Sequence, residues 1–396
     1  MKLYIKAITL ASLLSICLVT FLSSNCSAAL ISNNILPVYT AAESLGYAAA
    51  ASGHTAATAS PTLITPQDSG ITINTISIHK NGSVSSQGGF LFYSNNPEYV
   101  FDYDLADNGC WLNQAAVSGN GQVYIWHNNA ANKTINSELN ITNPNNESII
   151  INSNHYGLTN GIDSTDATAW DSYLGSNQTG ISIIIKPGQS VQLFKQSVPQ
   201  NNNFGIVAEV NITDLNGNPA KALFEDRAYY QNIWEVKCTG YSINGSRGVG
   251  SSYQNTITFD PVKMTGNNYY TYSIGAADDS LNGQDLVKIK DNRNYNESLL
   301  AGNYGEVMTI NIPIKNYYKN DQNFGIYIGS IGGYSFPFVK LKDNKSFVSS
   351  PVKPFTAYDM IKTGKMNFGS TETVSFTLVI PALSSTPWII GVHPIE

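Results

Sequence analysis

From Ile71 onward apolar and polar residues alternate along the chain. Ile71-Thr-Ile-Asn-Thr-Ile-Ser-Ile sets the rhythm. Every second side chain is apolar, as a strand with one buried face requires. The pattern returns in Gln122-Val-Tyr-Ile-Trp, Ile149-Ile-Ile, Ile181-Ser-Ile-Ile-Ile, Val191-Gln-Leu-Phe and Phe204 to Ile212. It recurs in Tyr269 to Ile274, Val307 to Ile314, Phe324 to Ile328, Thr373 to Ile380 and Trp388-Ile-Ile-Gly-Val. Turn clusters such as Asn143-Pro-Asn-Asn and Asp214-Leu-Asn-Gly-Asn-Pro separate these runs. Asn and Gly reach left-handed backbone angles cheaply, so they mark chain reversals. No segment keeps a helical period over three or more turns. Many short, closely spaced strands predict an all-β fold: two consecutive antiparallel β-sandwich domains after a signal peptide and a flexible spacer.

The chain before Ile71 is built differently. Lys2 and Lys6 precede an apolar run, Ala7 to Leu22, which is followed by the small residues Ser27-Ala-Ala. This reads as a secretory signal peptide over residues 1–28. An uncleaved anchor needs a span of about 20 apolar residues, and this run is marginal for that. A lipid anchor on Cys26 would follow Asn25, a poor fit. Residues 29–70 are rich in Ala, Ser, Thr and Pro and read as the spacer. The first sandwich is then expected over 71–244 and the second over 245–396, with the border in the Gly/Ser/Asn stretch Ser242 to Ser252. Both halves contain an apolar strand ending in Asn before a turn, at Asn136 to Asn143 and at Met308 to Asn316. That phrase is common to many sandwiches and does not by itself establish a repeat.

Composition narrows the classes. Of 396 residues, 42% are hydrophobic and 13% charged, which excludes global disorder. The net charge of −6 has no basic cluster against it, so nucleic acid is not an expected partner. Export implies an extracellular or cell-envelope setting, and no later apolar run is long enough to cross a membrane. Loss of the signal leaves Cys110 and Cys238. They are either one disulfide or two buried thiols.

Several segments are similar to those of a known group. They are Gly88-Gly-Phe-Leu-Phe-Tyr, Gln122-Val-Tyr-Ile-Trp-His-Asn-Asn, Leu139-Asn-Ile-Thr-Asn-Pro, Ile185-Lys-Pro-Gly-Gln-Ser and Leu300 to Ile314. In this order they resemble exported bacterial all-β proteins of unknown function, some relatives of which carry copper-amine-oxidase-like stalk domains. The resemblance implies a two-part β architecture and an envelope or extracellular setting. It brings no catalytic residue with it.

Catalytic signatures are sparse. His54, His79, His127, His155 and His393 form no close metal-ligand pair. There is no Gly-x-Ser-x-Gly. Gly245-Ser-Arg-Gly-Val-Gly lacks the lysine of a phosphate loop. Asp102, Asp104, Asp107 and Asn108, followed by Gly109, offer hard oxygen ligands and form the Ca²⁺ candidate. A second acidic stretch runs from Asp278 to Asp285. Acids and amides in exposed turns account for both stretches without a metal. Tyrosine occurs 23 times. Tyr269 and Tyr270 are the candidates for stacking on sugars, although tyrosine also simply favours strands. The expected function is a non-enzymatic exported protein for adhesion, scaffolding or ligand binding. It needs no cofactor beyond that Ca²⁺ candidate, and its expected partners are cell-wall or extracellular glycans or surface proteins. The rival is a carbohydrate-active enzyme with two carboxylates facing across an aromatic cleft.

Overall fold

The alternation becomes strands packed in pairs of sheets. The computed structural model describes residues 62–63, 71–72, 78–79, 81–105, 109–162, 166–175, 179–230, 246–267, 269–276, 281–291, 296–341, 347–349 and 352–395. All lie in one compact unit, Thr55–Glu396. The signal-peptide reading and almost all of the spacer fall outside the described residues.

The principal strands of the first half are β1 (Gly82–Gln87), β2 (Phe90–Ser94), β3 (Gly109–Asn129), β4 (Ile135–Thr142), β5 (Ile149–Ser153), β6 (Ile181–Ile185), β7 (Ser190–Val198), β8 (Asn202–Asp214) and β9 (Lys221–Tyr229). Those of the second half are β10 (Arg247–Gly250), β11 (Gln254–Phe259), β12 (Tyr270–Ile274), β13 (Val307–Asn316), β14 (Asn323–Ser330), β15 (Thr356–Lys362), β16 (Thr371–Val379) and β17 (Trp388–Ile395). A single described α-helix, α1 (Ala167–Leu174), lies between β5 and β6.

In the first half one leaf runs β6–β5–β8–β3–β2. The other runs β3–β9–β4–β7. β3 serves both leaves. Its residues 119–128 pair with β8 and its residues 109–118 with β9. The changeover falls at Gly119, whose φ of +72° is a conformation that glycine reaches without strain. Phe92, Ile125, Leu139, Ile151, Ile206 and Phe224 fill the space between the leaves. In the second half the leaves run β15–β14–β17–β12 and β16–β13–β11–β1. Ile310, Phe324, Ile328, Phe376, Trp388 and Ile390 fill that core. β13 shows the period-two logic cleanly: buried and half-buried positions alternate over its 10 residues.

The halves exchange strands. β1 pairs with β11 of the second half, and β10 pairs with β2 of the first. Most ladders are antiparallel, but β2 on β3 and β11 on β13 are parallel.

The halves are also built to one plan. The series β4, β5, β6, β7, β8 in the first corresponds to β13, β14, β15, β16, β17 in the second. Each set gives a three-strand order, β6–β5–β8 or β15–β14–β17, with the remaining pair in the opposite leaf. The hydrogen bonds at one corner match atom for atom. Asn143 Nδ2 donates to the carbonyls of Glu147 (2.7 Å) and Ile185 (2.8 Å), and its Oδ1 accepts from Asn145 N–H. Asn316 Nδ2 donates to Asn320 (3.1 Å) and Met366 (2.9 Å), and its Oδ1 accepts from Tyr318 N–H. Their backbone carbonyls accept from Gly188 and Gly369, both at positive φ. Asn129, which ends β3, makes the same set with Lys133, Val198 and Ala131. A buried amide thus closes each corner by satisfying backbone groups that would otherwise be desolvated and unpaired.

A third core joins the halves. Leu91, Tyr124 and Val207 on the outer face of β2, β3 and β8 meet Trp170 of α1 and Phe338, Val379 and Ala382 of the second half. This explains why β2 is buried at all five positions: one face lines each core. No helix among the described residues is long and apolar enough to cross a membrane.

Candidate functional site

Asp102 and Asp104 lie in a 3-10 turn, Asp102–Leu105. The Asp102 carboxylate accepts from the Tyr230 hydroxyl and from both the backbone and side-chain nitrogens of Asn132. The Tyr230 bond, more than the others, holds this carboxyl below its usual range. Asp104 Oδ2 accepts from Phe101 N–H at 2.9 Å and closes the turn. Asp107 and Asn108 lie outside the described residues. Among the described residues no group of three or more His, Cys, Asp or Glu is arranged to hold a metal ion. Cys110 stands at the start of β3, with Ala228 as its ladder partner. Cys238, and with it the disulfide reading, lies outside the described residues.

The half-buried and buried charges are largely spent on one another. Ser94, His127 and Asp226 converge from β2, β3 and β9, all fully buried. Ser94 Oγ donates to Asp226 Oδ2 at 2.6 Å, and His127 Nε2 lies 2.8 Å from the same oxygen. The far nitrogen, Nδ1, faces the Pro97 carbonyl at 2.6 Å. A hydrolytic triad needs the serine and the carboxylate on opposite ring nitrogens, with the serine open to substrate. Here both share Nε2 and are sealed. No local spacing marks this cluster, because its members are far apart along the chain. On the outer face of β9, Arg227 lies between Glu225 and Glu138. Glu225 also accepts from Gln114 and Asn140, and Glu138 from Gln192 and Tyr229. Burial raises the Glu138 carboxyl above its usual range.

The structure separates Tyr269 from Tyr270. Adjacent strand residues point to opposite faces. Tyr270 packs against the second core, and Tyr269 is 43% exposed. Its ring lies flat on His393 of β17, with centroids 5.0 Å apart and planes 9° apart. His393 Nε2 is 2.8 and 2.9 Å from the two oxygens of Asp359 on β15. Tyr327 of β14 completes the platform. Its hydroxyl meets Thr271 Oγ1, and burial, more than any neighbour, raises its phenol well above the usual range. Two glycines clear the room. A Cβ at Gly325 would lie 2.7 Å from Asp359 Oδ1 and 2.9 Å from His393 Nε2, and one at Gly391 would penetrate the Tyr327 ring. Glycine in a strand interior weakens the strand, and it is found where something must approach the backbone closely.

No family model matches the chain. No curated protein matches it either. Among solved structures, similarity is seen to the PBSX exported protein XepA, at 8% identity over 74% of this chain and 88% of that one, with a TM-score of 0.18. Bacillus subtilis oxalate decarboxylase is similar at 9% identity over 83% and 78%, TM-score 0.13. Paenibacillus xanthan lyase is similar at 7% identity over 84% and 27%, TM-score 0.16. Likenesses this low leave the functional reading to the chain's own residues.

Proposed function

We propose that this is an exported, non-enzymatic β-sandwich protein that recognises extracellular or cell-wall glycans through the Tyr269 platform. The observation that carries the reading is the exposed Tyr269 ring seated on His393, itself fixed by Asp359 beside two glycines whose missing side chains leave it room. One face of the ring is spent on His393, and the other is left for the apolar face of a sugar. The half-exposed Asp359 carboxylate stands beside it to accept from hydroxyls. The Ser94–His127–Asp226 cluster and the Glu225–Arg227–Glu138 row support recognition over acid–base chemistry, because the first is closed to solvent and the carboxylates of the second flank a guanidinium.

The test is a glycan array followed by calorimetry on wild type and Tyr269→Ala. A single lost stacking contact weakens binding about tenfold. Melting temperature should change little, since the ring is exposed. Equal affinity of the variant, or release of reducing ends from a bound glycan, overturns the proposal.

A further inference from the structure

A second exposed aromatic surface lies in the first half, built from residues remote in sequence from the Tyr269 platform. Tyr99, Phe101 and Tyr103 are exposed by 45%, 38% and 64%. Phe101 and Tyr103 stack with centroids 5.1 Å apart and planes 17° apart, and Tyr99 follows Phe101 at 6.4 Å. Residues between and just after them turn the other way. Val100 is fully buried and Asp104 nearly so. Asp102 is tied to Tyr230 and Asn132, and Asp104 to Phe101 N–H. The carrier is therefore fixed before any ligand arrives, and little ordering cost remains on binding.

We propose that the Tyr99–Phe101–Tyr103 row is a binding ridge for an uncharged polysaccharide chain, separate from the Tyr269 platform and independent of it. Three observations select this occupant. Phe101 is stacked within the row, while Tyr103 at its end keeps its outer face, ring edge and phenol largely exposed, so the row offers ring surface and a hydrogen-bonding edge together. Glu98, Asp102 and Asp104 outnumber Lys133 around it, which disfavours anionic lipids, nucleic acids and acidic glycans. Its area is also small. A fully buried aromatic ring contributes roughly 150–250 Å². Scaled by their exposures, the three rings offer roughly 300 Å² between them, short of the ~600 Å² that each partner contributes to a small stable protein–protein interface.

The test is sedimentation of the full chain with insoluble cellulose, chitin and β-1,3-glucan. The proteins compared are wild type, Tyr103→Ala, Phe101→Ala/Tyr103→Ala and Tyr269→Ala. At least one neutral polymer should retain the wild type, with little change on adding 1 M salt. Tyr103→Ala should weaken retention about tenfold and the double variant further. Tyr269→Ala should leave retention on the ridge's polymer in place, so failure of either site is distinguishable from failure of the other. Circular dichroism should be unchanged in every variant. Retention of the double variant at wild-type level, or no retention of wild type by any polymer, overturns the proposal. So does wild-type binding to phosphatidylcholine vesicles, or self-association, that is lost in Tyr103→Ala.

Discussion

Glu306 is a carboxyl that folding should hold protonated at neutral pH. It sits just before β13 and is fully buried. Its Oε2 accepts from the Asn255 and Asn303 amides. Burial, with the Asp285 charge adding to it, raises its pKa from 4.5 to about 8 against the opposing hydrogen bonds. Between those two values the unfolded chain has lost this proton and the folded chain keeps it. Stability therefore falls as pH rises through this window, by about 1.4 kcal/mol per unit from this one group. Below 4.5 both states are protonated and the term vanishes; above about 8 it levels off. At pH 7 the accumulated cost is about 3 kcal/mol.

Glu306→Gln keeps an acceptor for the two asparagines and removes the ionisation. The variant should match wild type near pH 4.5 and exceed its stability at pH 7 by roughly 1–3 kcal/mol, the lower end allowing for the desolvated amide. The measurement is urea unfolding of both proteins at half-unit steps from pH 4.5 to 8.5. Other titrating groups are common to the two proteins and cancel in the difference. A difference that stays constant with pH, or that favours wild type at pH 8, refutes the reasoning.

Other substitutions test the architecture. Asn316→Ala and Asn143→Ala each leave buried backbone groups unpaired at equivalent corners. Each should cost about 2–3 kcal/mol in chemical denaturation, and a cost under about 0.5 would remove the corner's structural role. Asp166→Ala strips partners from the Tyr124 hydroxyl, the Trp170 indole and the Ala382 N–H. About 3 kcal/mol should be lost, with a change in tryptophan fluorescence near α1. Gly391→Ala should lose about 1–3 kcal/mol through overlap with Tyr327, and adding Tyr327→Ala should recover part of that loss in a double-mutant cycle.

How much of this was written in the sequence varies by residue. The alternation at Val307 to Ile314 predicted a half-buried strand, and β13 is one. The pairing of β1 with β11, and of β10 with β2, left no local sign, because a strand's own pattern says which face is buried and not which neighbour it takes. α1 is two turns long and too short for a period to register. Asn143 and Asn316 were readable as turn formers. That their amides are buried and bonded across the corner depends on strands more than 40 residues away. Alternation also implied that Tyr269 and Tyr270 could not share a face, which left one of them for the surface. The Tyr99–Phe101–Tyr103 row left no such signal, because the chain leaves its strand at Val100 and Tyr103 lies in a 3-10 turn.

The shared plan of the halves also puts two equivalent faces to different use. β8 and β17 occupy the same place in the two series. The outer face of β8 is committed to the seam, where Val207 packs with Trp170 and the loop at Ala382, and Asp166 fastens α1 to that loop. Any residue placed there answers first to packing between the halves. The outer face of β17 carries His393 and Gly391, and among the described residues its buried apolar cluster is Tyr327, Ala357 and Ile389, with Ile331 packed against it. Two strand glycines stand there, Gly325 making room for a His–Asp pair beneath an exposed tyrosine and Gly391 for the Tyr327 ring. The outer face of β17 is therefore not occupied in joining the halves, and Tyr269, His393 and Asp359 stand together on that side of the sheet.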